Sequence, residues 1–157
     1  MSGYEYETQP YDHQRKAFED SWAAEFYALL MEMGTGKTKV AIDTMGALFE
    51  AGKVKAALVI APKGVYDNWV KGEIPIHLPK RIPRQVLRWT PAKTLKFENE
   101  LKDFIVDRDP KLKVFVVNVE AFSTPRGMDA AEAFLYQNPD NLVIVDESTT
   151  IKNRKAS

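Results

Sequence analysis

A lysine and a threonine sit side by side after two glycines in the run Gly34-Thr35-Gly36-Lys37-Thr38. Directly upstream lies an apolar stretch, Tyr27-Ala-Leu-Leu-Met31, and directly downstream a helix-like segment from Lys39 to Glu50. That order turns backbone N–H groups at a helix N-terminus toward a common point, the arrangement that holds phosphate oxygens. Gly34 and Gly36 place no Cβ where phosphates must approach. Lys37 is expected to reach the β- and γ-phosphates, with Met33 to Gly36 surrounding them through the backbone and the Thr38 hydroxyl ligating Mg²⁺. The general pattern has a further glycine five residues before Gly36, and here Met31 stands in that place.

A second chemical signal lies far downstream. Asn141-Leu-Val-Ile-Val-Asp146-Glu147 is a short apolar strand that ends in two carboxylates. In phosphate-loop nucleotide hydrolases an acid at such a strand end holds the metal. A neighbouring acid can polarise the attacking water. Asp146 is assigned the first role and Glu147 the second. A solvated Asp-Glu pair closing an ordinary strand is common, so the weight comes from its coexistence with the glycine-rich turn. Together they call for a bound nucleotide's phosphates and Mg²⁺.

Two such motifs must be positioned by one sheet. The pattern expects a helix over Tyr11 to Ala24, a strand over Tyr27 to Glu32, and a helix stopped near Gly52. A buried strand follows from Lys55 to Ala61, then a helical turn from Val65 to Lys71 carrying Trp69. Gly72 to Pro83, with prolines at 75, 79 and 83, reads as irregular. A third strand spans Arg84 to Trp89, and Pro91 opens a helix to about Val106. Lys113 to Val119, a short helix from Asp129 to Gln137, and the strand from Asn141 to Val145 complete the series. Strands alternating with helices, several of them continuous apolar runs, predict an α/β fold with a mostly parallel sheet covered on both faces. Ligands gather at the carboxyl ends of such strands.

Composition narrows the setting. The 157 residues suffice for one domain with a substantial core. With no cysteine, disulfides and thiolate metal sites are excluded. No apolar run is long enough for a membrane span, and the N-terminus lacks a signal-peptide pattern. A cytoplasmic, non-membrane protein is the expectation. The 22 basic and 22 acidic side chains balance, which counts mildly against a nucleic-acid binder without excluding one whose binding face is basic within a neutral whole. His13 and His77 show no ligand spacing.

With the motifs in order, the chain resembles the first RecA-like domain of superfamily 2 helicases and translocases, most closely the Swi/Snf-type DNA translocases. Four stretches carry the resemblance. Tyr11-Asp-His-Gln14-Arg15 is similar to the glutamine-bearing segment that reads the adenine edge. Met31-Glu-Met-Gly-Thr-Gly-Lys-Thr38 resembles the phosphate loop. Ala61-Pro-Lys-Gly-Val-Tyr-Asp-Asn-Trp69 resembles the next motif, a strand-to-helix turn. Asp146-Glu-Ser-Thr149 resembles the Asp-Glu-x-His box, with Thr149 in place of histidine, followed by Thr150-Ile-Lys-Asn153.

The resemblance implies an ATP-binding half-motor acting on DNA, duplex rather than single-stranded, with a second RecA-like domain completing the site. Lys63, Ser123, Thr124 and Lys152 fall where the family presents groups to a nucleic-acid strand, although each also reads as an ordinary polar loop residue. Trp69 reads as a packing residue. An RNA helicase domain and a nucleotide-binding interaction module without turnover are the alternatives. In the family a later strand separates the phosphate-loop strand from the Asp-Glu strand. Too few residues follow Glu147 to supply it, so the sheet is expected to be incomplete at its C-terminal end. The expected consequence is a longer polypeptide or a complementing chain that donates the missing strand.

Overall fold

The computed structural model describes residues 28–31 and 37–146. Five strands form one sheet: β1 (Ala28–Met31), β2 (Ala56–Ala61), β3 (Arg84–Arg88), β4 (Leu112–Asn118) and β5 (Asn141–Asp146). Their spatial order is β1-β5-β2-β4-β3, and every pairing is parallel. Parallel neighbours need crossovers, and helices supply them: α1 (Lys37–Glu50), the broken segment α2 (Tyr66–Asn68) with α3 (Ile74–His77), α4 (Leu95–Val106) and α5 (Pro125–Gln137).

The sheet divides the core in two. On one face Ile42, Met45 and Leu48 of α1 pack with Trp69, Ile74 and Leu78 against Val59, Val114, Val116 and Ile144. On the other, Phe97 and Phe104 of α4 and Phe134 of α5 pack against Leu58, Phe115 and Val117. Phe104 and Phe134 stack at 5.5 Å between ring centroids, and Phe115 meets Phe134 at 5.4 Å. Burial on both faces explains the apolar run Val114 to Val117 within β4, a strand in which all seven residues are buried. One of them is Lys113, whose Nζ donates to the carbonyls of Phe104, Ile105 and Asp107 at 2.9–3.0 Å. The ammonium thus takes up carbonyls at the C-terminal end of α4 that the helix leaves unpaired.

Local signals account for most boundaries. Gly52 has φ +76°, the left-handed geometry that ends α1. Thr94 caps α4 by accepting from the Phe97 N–H, so that helix begins after Pro91, not at it. Thr124 caps α5 by accepting from the Gly127 N–H, with Pro125 in the first turn, so α5 starts four residues before Asp129. The stretch from Gly72 is helical to His77 rather than irregular. Pro75 lies in the first turn of α3, directly after a π-turn over Trp69–Glu73 that joins α2 to α3.

The largest departure is topological. No strand separates β1 from β5; they pair directly, Ala28 with Val143 through Met31 with Asp146. Each strand thereby satisfies the backbone groups that a central gap would have orphaned. The inference from such a gap to a strand-donating chain or a longer polypeptide loses its premise.

Candidate nucleotide site

Three chain segments meet at the carboxyl edge beside β1. The phosphate-loop strand ends at Met31, and α1 begins at Lys37. Lys37 and Thr38 therefore occupy the first turn of a 14-residue helix, where free N–H groups and the positive end of the dipole favour an anion. The Asp146 strand ends level with Met31 in the adjacent ladder, one inter-strand spacing of about 4.8 Å away. Asp146 is 1% exposed. A carboxylate so buried requires cations or donors around it. With the half-buried Thr38 on the next element, that arrangement fits a Mg²⁺ ion, which is held by one or two protein oxygens plus substrate phosphates. Among the described residues no three His, Cys, Asp or Glu side chains form a cage for another metal.

Gln14, Met33, Gly34, Thr35, Gly36, Glu147 and Lys152 lie outside the described residues. Lys63 is exposed in the turn after β2, where the Val65 N–H bonds the Pro62 carbonyl. The two hydroxyls proposed for nucleic acid are engaged locally. Ser123 Oγ donates to the Glu120 carbonyl at 2.6 Å, and Thr124 Oγ1 donates to the Ala121 carbonyl at 2.7 Å while capping α5. Trp69 is buried in the core, 1% exposed.

One feature of the site went unread in the sequence. One and five residues beyond Thr38, Lys39 and Asp43 form a buried ion pair, Nζ to Oδ2 at 2.8 Å. Burial pushes the Asp43 carboxyl up to about 6, and the Lys39 hydrogen bond and charge pull against that rise. Lys39 also lies close enough to His77 for its charge to help lower that imidazole's pKa, although burial is the larger cause and Glu73 opposes both. The signal was the four-residue spacing of a lysine and an aspartate on an otherwise apolar helix face.

A family model described as type III restriction enzyme, res subunit, matches residues 7–153. The chain belongs to that family. The res-subunit family is a superfamily 2 helicase-type RecA-like domain, so a helicase-type ATP-binding domain is the coarse assignment, in keeping with the all-parallel sheet. No curated protein matches the chain. No helix among the described residues is long and apolar enough to cross a membrane.

Proposed function

We propose that this chain binds ATP–Mg²⁺ and is the first motor domain of a DNA translocase or helicase. The observation that carries the reading is that the strand preceding α1, whose first turn holds Lys37 and Thr38, pairs with β5 so that Met31 and Asp146 are register partners. Lys37 would hold the β- and γ-phosphates, and Thr38 with Asp146 would hold the metal. Bound there, Mg²⁺ would neutralise charge on the phosphates. Glu147 would orient the attacking water, and Gln14 would select adenine. A second RecA-like domain would supply an arginine to the transferring phosphoryl group, a contribution worth ~10³–10⁵ in rate in related sites. The Thr150-Ile-Lys-Asn153 extension supports Swi/Snf-type action on duplex DNA.

ATP hydrolysis by the full-length polypeptide, measured with duplex DNA, single-stranded DNA and RNA, tests this. Stimulation by duplex is expected. Stimulation by RNA alone would replace the DNA assignment, and absence of nucleotide binding would overturn the whole.

A further inference from the structure

The buried ion pair of α1 is set against the helix that carries it. A first turn meets the positive end of the helix dipole, where an acid is favoured and a cation is not. Yet Lys39 stands third in α1 and Asp43 seventh, with no acidic residue in the first turn. Side chains four apart also pair better with the acid on the N-terminal side, the reverse of this order. Both residues are buried, and an enclosed ion pair is often no more stable than apolar side chains of similar volume. Helix stability therefore does not account for Lys39 and Asp43.

What the pair does supply is charge behind the place where an anion would bind. Lys37, Thr38 and Lys39 share the first turn, so the Lys39 ammonium adds to the positive potential of the free N–H groups there. Asp43 offsets that charge from about 6 Å further along the axis, its Oδ2 lying 2.8 Å from Lys39 Nζ. Among the described residues the other carboxylate oxygen, Oδ1, is buried without a hydrogen-bond partner. The charged groups facing the pair from the next segment are Glu73 and His77, Oε2 to Nε2 at 3.2 Å. Enclosed charges are screened little by salt, so the loss of either member of the pair is felt beyond its immediate neighbours.

We propose that Lys39 and Asp43 are opposed charges that set phosphate affinity from behind the loop, Lys39 strengthening the pull on a nucleotide's phosphates and Asp43 restraining it. The inference rests on the proposed nucleotide site. Neither side chain needs to touch the nucleotide. The restraint acts on release, because differences in affinity at one site are mostly differences in dissociation rate. Burial raises the Asp43 carboxyl to about 6, so mild acid neutralises it and lifts the restraint while Lys39 keeps its charge.

Calorimetric titration of the full-length polypeptide with ADP–Mg²⁺, at about pH 7.5 and about pH 5, tests it. At the higher pH, Asp43→Asn should bind severalfold more tightly than the parent and Lys39→Met severalfold more weakly. At the lower pH the parent should approach Asp43→Asn, because its own carboxyl is then neutral. Comparing the two proteins at each pH cancels the protonation of the nucleotide itself. A merely structural pair would weaken binding in both variants and at both pH values, and that result would overturn the proposal. Equal affinity in all three proteins would overturn it too, while leaving the nucleotide site standing. A parent that binds no ADP–Mg²⁺ would overturn the nucleotide reading itself. If Lys39→Met does not fold, Asp43→Asn decides alone: tighter binding supports the restraint, and equal or weaker binding refutes it. Asp43→Ser takes its place, with the same two outcomes, should the amide not fold.

Discussion

Met31 and Asp146 are direct register partners at the carboxyl ends of adjacent parallel strands. The strand that feeds the phosphate loop and the strand that delivers the buried acid therefore lean on each other with nothing between them. Disturbing one end should be felt at the other.

The first expectation concerns phosphate affinity. Lys37→Ala removes a charge-assisted contact to the β/γ-phosphates, a loss on the order of 1.5–3 kcal/mol. Isothermal calorimetry with ATP–Mg²⁺ should register it as roughly a ten- to hundredfold weaker Kd. Equal affinity in parent and variant would remove the loop from the nucleotide assignment.

Asp146→Asn should act on the metal. The neutral amide keeps the shape of the buried side chain but loses its charge, so the benefit of Mg²⁺ to nucleotide affinity should shrink. Affinity measured in Mg²⁺ and in EDTA should converge in the variant and differ in the parent.

Base choice is the reading of Gln14. Gln14→Ala should narrow the gap between ATP and GTP affinity before it weakens either one strongly, because a lost hydrogen-bonding partner costs discrimination first. An unchanged ATP/GTP ratio would return Gln14 to the role of a solvated helical residue.

Stability should carry the mark of Asp43. Its folded pKa is raised from 3.8 to about 6. Between those values the folded state holds a proton that the unfolded chain has released. The contribution is therefore fully present below about 3.8 and is lost as pH rises through 6. His77, lowered mainly by burial, acts in the opposite sense and loses stability as pH falls through its folded pKa. Comparing parent with Asp43→Asn isolates the first effect. In urea unfolding, the variant's deficit should be larger at pH 4.5 than at pH 7, by about 2 kcal/mol. A deficit independent of pH would contradict the raised value.

Thr124→Ala should cost about 1 kcal/mol of stability through loss of the α5 cap. It should leave nucleic-acid affinity unchanged, since its hydroxyl is already committed to Ala121 and Gly127.

Much of the architecture was legible because its signals are local. Continuous apolar runs gave β2, β4 and β5, and Gly52 gave the end of α1. Thr94 was hidden as a cap because a proline is itself a helix-start signal, and Pro91 points to a start four residues before Leu95. The helical continuation through Pro75 was hidden because a proline in a first turn and a proline in a loop look alike without the neighbouring turn. Strand order was the least legible feature. The pairing of Ala28 to Met31 with Val143 to Asp146 depends on which buried edges find each other, and no local pattern encodes that. The Lys39–Asp43 pair was visible as spacing, but its burial comes from the segment around Trp69 and His77 folding over α1.

Lys113 gives this molecule an internal gauge of its own integrity. The residue is 3% exposed, and its amine is engaged by three carbonyls and has a pKa lowered chiefly by burial. An acylating reagent that marks exposed amines such as Lys53, Lys55 and Lys63 will not reach the enclosed amine of Lys113 while α4 and β4 stay together. Labelling of Lys113, read by mass spectrometry against those companions, therefore times the opening of the sheet's interior in a protein without a single thiol to tag.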